Sequence, residues 1–554
     1  MNEDEIKIIS GNNYTEIAQI LENFIKINDN VFIFPFLLEN NRRVSLWAAL
    51  FQHLQSESSG SIHIVCLSTI KLLSRDKTEL ENLICEKWII TLIEKAGLFN
   101  FVDPEDSLDV DMPVKEVVVE ALKCLCNITF NSNEARGLCA YTIIAQGLVA
   151  RLRSYKEIAF KDDIMLYDMK LLFILTALRQ DIKAKIKDEL HGMDYLISCL
   201  NELVLESSES QCEVAGSREV IEDAHCCFLQ DNQQAIACEI LKTQFNLTLQ
   251  HSEEPVSEAE ESMYLKLMPV LTALLYAQTS TQDSLMDLHS NIANLLTGVP
   301  PMFYQYLTPE LNDGETALCT YAGRNMDALQ ALLQLLLYRL SITTSALLQS
   351  TKNQYTNLSP VLIVLIKSAR GCRPQRKYLR QVVLPPLRDV SRPPEEGNTL
   401  RNQLCRLLTT PVTSVRDLVA EFLFILCKEK VGRMVKYTGF GNAAGHLAQK
   451  GLMGGARGPV QYSSSSEDSD TEEYLEAQPR IDPVVGCTRP PRVNPFEGMS
   501  EEQKEFEAMK LVNLLDKMLT EGVVRPARIG ADGRPVAIDH VLDMREHPPN
   551  RPQS

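Results

Sequence analysis

The chain has 554 residues and a formal net charge of −18, with 45% apolar and only 6% aromatic residues. That apolar content is ample for a buried core. The acidic balance argues against general nucleic-acid binding, which needs Lys and Arg clustered against phosphates, although a local basic groove is compatible with it.

The first residues, "MNEDEIKIIS", are acidic and contain no basic segment followed by an apolar run, so no signal peptide is expected. Leu, Ile, Ala and Val then recur in long helical patterns with few Asn-Gly or Asp-Gly hairpin signals, which predicts an all-α fold. The fifteen cysteines sit mostly inside those patterns, as in "ALKCLCNITF". They read as small hydrophobes in a reducing compartment, and no CxxC pair or His cluster has zinc-site spacing. No metal or other cofactor is expected.

A repeat emerges in the first half. "EALKCLCNITF" (120–130) aligns without gaps on "EILKTQFNLTL" (239–249), both reading Glu-x-Leu-Lys-x-x-x-Asn-[Ile/Leu]-Thr. Looser copies place Lys71 with Arg75, Lys170 with Thr176, and His289 in the Lys place. The anchors 71, 123, 170, 242 and 289 are 52, 47, 72 and 47 residues apart, and the long interval holds an acidic, Ser-rich insertion at about 205–225. Without that insertion the period is that of HEAT or armadillo repeats, whose helical units bury their apolar faces only by stacking into a superhelix. Residues four apart share a helix face. Lys71 with Arg75, Lys123 with Asn127 and Lys242 with Asn246 are therefore expected to form a ladder of polar pairs. They suit plain solvated positions, or a surface for an acidic peptide or a C-terminal carboxylate.

The apolar stretches "LQALLQLLLYRLSITTSALL" and "SPVLIVLIKSARG" are broken by Gln, Arg or Lys, so no integral membrane segment is expected. A Pro-rich connection at 383–411 leads into 413–430, which reads as a final amphipathic helix. The segment 432–458 is rich in glycine, and "GFGNAAG" (439–445) nearly spells a dinucleotide fingerprint. That fingerprint requires a preceding strand and two residues before the third glycine; here a helix precedes it and three residues intervene. The segment is expected to be a flexible exit from the repeats. "SSSSEDSDTEEYLE" (463–476) is acidic linker, in which Ser464, Ser465 and Ser469 each have a carboxylate three residues on. That spacing suits an acidophilic kinase of the casein kinase II type. Ser500 and Gln503 form a capping box before a helix whose Phe506, Met509, Val512, Leu515 and Leu519 recur at three- and four-residue steps. The tail from 521 looks largely irregular. No Gly-x-Ser-x-Gly elbow, His-Glu-x-x-His or kinase signature set is present, so an active site of its own is not expected.

Several long, ordered stretches, "LSRDK", "LPPLRDVSRPPEEGNTLRNQLCRLLT", "YTGFGNAAGHLAQKGLMGG", "QYSSSSEDSDTEEY" and "NPFEGMSEEQKEFEAMKLVNLLDKM", resemble the synembryn family (resistance to inhibitors of cholinesterase) over about residues 60–520. The resemblance implies an armadillo/HEAT-like solenoid at 1–430, a phosphorylatable linker at 431–499, a helix at 500–520 and a tail at 521–554. It implies a chaperone for nascent G-protein α subunits (Gα) that is also a non-receptor guanine-nucleotide exchange factor for Gα free of Gβγ. It further implies a groove for the Gα C-terminal helix at Lys71, Arg75, Lys123, Asn127, Phe173, Phe245 and Asn246. Lys71 stands where an Arg is expected and would lose bidentate pairing. The helix carrying Phe506, Met509, Val512 and Leu515 would embrace Gα, and the family's phosphorylated segment maps onto 463–471. A cytoplasmic protein recruited to the cell cortex through Gα is expected. An armadillo-type adaptor that binds linear peptides without exchange activity is the alternative.

Overall fold

The computed structural model describes residues 1–99, 113–155, 161–214, 227–249, 256–312, 316–345, 358–453, 470–488, 498–523, 525, 527–530 and 534–538. These residues are overwhelmingly helical, interrupted by strands of two or three residues. The chain divides into two compact units, Met1–Leu307 and Thr308–Ser554.

In the first unit the five repeat anchors fall on five helices: Lys71 on His63–Leu73, Lys123 on Lys115–Asn131, Lys170 on Lys161–Leu178, Lys242 on Asp231–Thr248 and His289 on Gln282–Gly298. Each of these helices packs against the next in that order. Each also packs against a partner helix earlier in the chain, such as Glu86–Lys95 for the Lys123 helix and Gly192–Val214 for the Lys242 helix. A helix with neighbours on several sides must be apolar on several sides. The Lys123 helix accordingly buries Val117, Val118, Ala121, Leu122, Cys124, Leu125 and Ile128, leaving one narrow stripe for polar groups. This is the stack of helical units implied by the repeat.

Three features refine the repeat. His289 is 2% exposed, and burial pushes its pKa down to about 4, so it is a neutral core residue and the charged ladder stops at Lys242. Thr176 is buried too; the residue four beyond Lys170 is Ile174. The acidic insertion is helical at its start, because the helix from Gly192 runs on to Val214; the rest of it, 215–226, lies outside the described residues.

The second unit centres on Thr413–Leu426. It is not an amphipathic end helix: Phe422, Leu423, Phe424, Ile425 and Leu426 are buried one after another. They are covered because Ser359–Gly371 packs on one side and two further helices, Val431–Thr438 and Phe440–Gln449, pack on another. The glycine-rich segment is thus folded up to residue 449, with Met434, Tyr437, Ala443 and Leu447 buried at helical spacing. Gly439 makes the corner between the two helices at φ +74°, and a Cβ there would lie 2.9 Å from the Val485 carbonyl oxygen. At the N-terminus of the helix it opens, the backbone N–H groups of Phe440 and Gly441 donate to the carbonyls of Pro483 and Val484, each at 2.9 Å. The position where a nucleotide fingerprint would hold phosphate is filled by this chain's own backbone.

The returning segment is itself pinned down. Thr471 caps Glu472–Ala477 and its hydroxyl donates to the Leu387 carbonyl. The hairpin Ile481–Asp482 with Cys487–Thr488 is held where the Thr488 N–H donates to the Val390 carbonyl at 2.8 Å. In the tail, Ala527–Ile529 pairs with Pro535–Ala537 as a short exposed hairpin, so part of the expected irregular end is ordered.

Candidate ligand face on the ladder helices

A helix offers one stripe at steps of three, four and seven residues. On the Lys123 helix that stripe is Lys123, Cys126, Asn127 and Phe130; on the Lys170 helix it is Lys170, Phe173, Ile174 and Ala177; on the Lys242 helix it is Lys242, Phe245, Asn246 and Leu249. All of these are half-buried or exposed, and the residues between them are largely buried. The stripe repeats in register on three consecutive stacked helices.

Asparagines tie two of the ladder helices, those of Lys123 and Lys242, to the one before. Asn127 Nδ2 donates to the Lys71 carbonyl at 3.2 Å. Asn246 Nδ2 donates to the Phe173 carbonyl at 3.3 Å and to Thr176 Oγ1 at 3.1 Å. Asn131 repeats the bond to the Ser74 carbonyl at 2.9 Å. The Lys71 and Ser74 carbonyls lie at the C-terminal end of the first ladder helix, where intrahelical partners run out. Only the amide N–H groups are engaged in these bonds.

The lysines are held as well. Glu120 accepts from Lys71 Nζ and from Lys123 Nζ, one on each carboxylate oxygen, both at 2.6 Å. Burial pushes the Glu120 carboxyl upward, but the hydrogen bonds and charges of Lys123 and Lys71 outweigh it, and the group titrates below its ordinary value. Lys123 also loses by burial and gains more from Glu120, so its pKa rises. Lys123 and Lys170 both lie over the Tyr167 ring at 5.0 Å. Lys242 sits over the Phe173 ring at 4.9 Å, with Glu239 Oε2 2.8 Å away as an ion pair that lacks hydrogen-bond alignment.

Arg75 behaves differently from expectation. Its helix ends at Leu73, so it does not continue the Lys71 face. Instead its Nη1 donates to the Asp29 carbonyl at 2.5 Å and its guanidinium covers the exposed Phe32 ring at 5.5 Å. The loop bearing Phe32 is itself anchored, because the buried Asp76 carboxylate accepts from the Phe34 N–H at 2.8 Å and lies 3.8 Å from Arg43. Lys77, two residues beyond Arg75, lies over the exposed Phe130 ring at 5.7 Å.

The structure thus brings Lys71, Lys123, Asn127, Phe173, Phe245 and Asn246 onto one stack of helices, with Arg75 beside the end of the first. Sequence reasoning passed over Glu120 and Glu239 as functional residues although both stand in the repeat motif, and it passed over Tyr167, Phe32 and Phe130. Phe506, Met509 and Val512 are exposed on Glu501–Thr520, where the expected Ser500 and Gln503 capping box forms and none of the helix's residues is buried; Leu515 is half-buried. Ser464, Ser465 and Ser469 lie outside the described residues. Among the described residues no group of three or more His, Cys, Asp or Glu is placed to hold a metal, and no helix is long and apolar enough to cross a membrane.

Fold and site together define a class: a helical-repeat protein whose stacked helices carry an in-register stripe of lysine, asparagine and aromatic side chains. The comparison with known families is more specific. The family model described as "Guanine nucleotide exchange factor synembryn" matches residues 66–534, and the chain belongs to that family. It is 40% identical over 510 residues to the "Chaperone Ric-8A" of Gallus gallus, covering 92% of this chain and 91% of that one. The "Chaperone Ric-8A" of Danio rerio is 40% identical over 503 residues, covering 90% and 88%. The "Chaperone Ric-8" of Drosophila melanogaster is 35% identical over 594 aligned positions, covering 100% and 99%.

Proposed function

We propose that this chain is a chaperone for nascent Gα subunits and a non-receptor guanine-nucleotide exchange factor for Gα free of Gβγ, acting without catalytic chemistry of its own. The observation that carries the reading is the in-register stripe on three stacked helices, in a chain that belongs to a guanine-nucleotide exchange factor family. A bound helix supplies side chains along its length and, at its end, a carboxylate and unpaired carbonyls. Lys71, Arg75, Lys123, Asn127, Phe173, Phe245 and Asn246 supply the complementary cations, amides and rings for the Gα C-terminal helix.

Drawing that helix onto the ladder loosens the nucleotide pocket at the helix's far end, GDP leaves, and the complex holds Gα open until GTP binds. Only a difference in affinity between the nucleotide-free and nucleotide-bound states can drive such a shift. The same preference makes the protein a holdase for unfinished Gα. The unburied face of Glu501–Thr520, with Phe506, Met509, Val512 and Leu515, then closes on Gα as a second contact, and phosphorylation of Ser464, Ser465 and Ser469 by an acidophilic kinase adds charge to the segment before it. The protein acts in the cytoplasm and reaches the cell cortex through Gα.

The test is GDP release from purified Gα, with and without this protein, alongside recovery of soluble Gα from a cell-free synthesis. Acceleration of release together with recovery of Gα is expected. Neither effect, with peptide binding intact, would leave an armadillo-type adaptor as the answer.

A further inference from the structure

The repeat motif contains a residue that the ladder reading above does not use: the glutamate three positions before the lysine, Glu120 and Glu239. A residue three back on a helix lies one turn below on the same face. Both glutamates are deeply set, with side chains 14% and 13% exposed, while their lysines are 27–34% exposed. In each case the ammonium is gripped from two sides, by the carboxylate of its own helix and by an aromatic ring from the neighbouring helix: Tyr167 for Lys123 and Phe173 for Lys242. Glu120 reaches further and takes Lys71 across the step between two helices. Ser68 donates to the same carboxylate oxygen at 3.2 Å.

This arrangement changes what the ladder is. A run of five cations, 71, 75, 123, 170 and 242, would attract any densely acidic chain. Three of the five instead share two carboxylates, Lys71 and Lys123 on Glu120 and Lys242 on Glu239, while Arg75 is held by an uncharged carbonyl and Lys170 rests on a ring. The lysines are also fixed in place, so a ligand does not have to immobilise them. An acidic stretch of that kind occurs in this protein itself, where Ser463–Glu476 carries six carboxylates and no base.

We propose that Glu120 and Glu239 are positioning and specificity residues of the ladder. They hold its lysines aligned and limit its positive charge, so that the face accepts a helix offering apolar, hydroxyl and carbonyl groups with a single anionic end, and rejects acidic segments such as this chain's own. Discrimination here comes from withholding charge as much as from offering contacts. The proposal rests on the reading of the ladder as the site for a helix from Gα, and the test separates the two.

Two fluorescent peptides serve as probes for the full-length protein: the last ~20 residues of a Gα subunit, ~30 Å of helix, and the unphosphorylated 14-residue segment Ser463–Glu476. Affinities are measured by anisotropy at low and high salt, spanning Debye lengths of roughly 14 and 6 Å, for wild type, Glu120→Gln, Glu120→Asp and Glu120→Gln/Glu239→Gln. The amide is isosteric; it removes the charge and one of the two acceptor oxygens that hold Lys71 and Lys123. The expected result is that the acidic peptide binds the double variant at least ~10-fold tighter than wild type at low salt, one decade in an equilibrium constant. The gain should vanish at high salt and be absent in Glu120→Asp, which a merely structural role would not produce. The Gα peptide should bind the Gln variants ~3–10-fold more weakly as its lysines lose their fixed positions, an effect of order one immobilised side chain.

Unchanged affinity and salt slope for both peptides in the Gln variants overturns the proposal while leaving the Gα reading standing. A gain for the acidic peptide with no binding of the Gα peptide to any form overturns the Gα reading and keeps the charge limit. If Glu120→Gln fails to fold, as judged by its circular dichroism, Glu239→Gln alone carries the same comparison.

Discussion

A fully buried ion pair of the first unit lies on the helix that carries Lys170. Arg151 and Asp168 are both 0% exposed. The guanidinium donates to the carboxylate from Nε at 2.8 Å and from Nη2 at 2.5 Å, and its Nη1 donates to the Ala96 carbonyl at 2.7 Å. The Tyr155 hydroxyl, whose pKa burial and Asp168 push well above its ordinary value, donates to the same carboxylate. This network joins Ile144–Ser154 to the Lys170 helix, which carries Tyr167 and Phe173. Replacing Asp168 by Ala leaves a fully buried cation and a buried hydroxyl without their acceptor. Breaking a buried pair from one side costs about 3–5 kcal/mol, a large part of the ~5–15 kcal/mol that holds a domain folded. At about 2 °C per kcal/mol for a large domain, the melting midpoint of the unit should fall by roughly 6–10 °C. Tyr155→Phe removes one charge-assisted bond and should cost about 1.5–3 kcal/mol. The double replacement Arg151→Met/Asp168→Leu removes both charges and should cost less than Asp168→Ala alone. Scanning calorimetry measures all three, with hydrogen exchange over residues 161–178 reporting local opening. A midpoint for Asp168→Ala within about 1 °C of wild type would refute the reasoning, as would a double variant less stable than the single one.

Three further outcomes are expected. Gly439→Ala puts a side chain into a backbone conformation open essentially to glycine and against the Val485 carbonyl, at a cost of at least about 1–3 kcal/mol; faster exchange of the Phe440 and Gly441 amides and of 481–488 should report it, and unchanged protection would contradict it. His289 is neutral in the fold with its pKa depressed to about 4, so the unfolded chain takes up a proton first as pH falls below ~6.5. Stability should therefore drop by roughly 3 kcal/mol between pH ~6.5 and ~4, a decline that His289→Phe should flatten in urea titrations. Asp76 is pushed upward by burial but held below its ordinary value by the Phe34 and Thr78 N–H groups and Arg43, so its contribution is present above ~4 and is lost as pH falls further. Exchange at Phe34 should rise only below that point, and a rise already at pH 6 would argue against the anchor.

The helical repeat could be read from the chain because its signal is local: Lys123 and Asn127, or Ser500 and Gln503, stand a fixed few residues apart and their relation survives any packing. What could not be read depends on apposition. Glu120 was visible in the motif, but its hold on Lys71 exists only because two helices that lie 49 residues apart at these positions stack side by side. Arg151 and Asp168 likewise meet across two helices. At 431–449 the glycines suggest a flexible exit, but the helical spacing of Met434, Tyr437, Ala443 and Leu447 is the sounder cue, and two helices form. Counting four residues from Lys71 puts Arg75 on the same helix face, but the helix ends at Leu73.

The central claim is that the ladder engages Gα. Its most direct test is the affinity of nucleotide-free Gα for wild type and for Arg75→Ala/Asn127→Ala, measured by biolayer interferometry with GDP release from the same preparations. Asn127 contributes about 1 kcal/mol to the stack, so the variant should remain folded. Loss of these two proposed contacts should weaken binding by ~100-fold or more and abolish accelerated release. Wild-type affinity and undiminished GDP release in the folded variant would contradict the account.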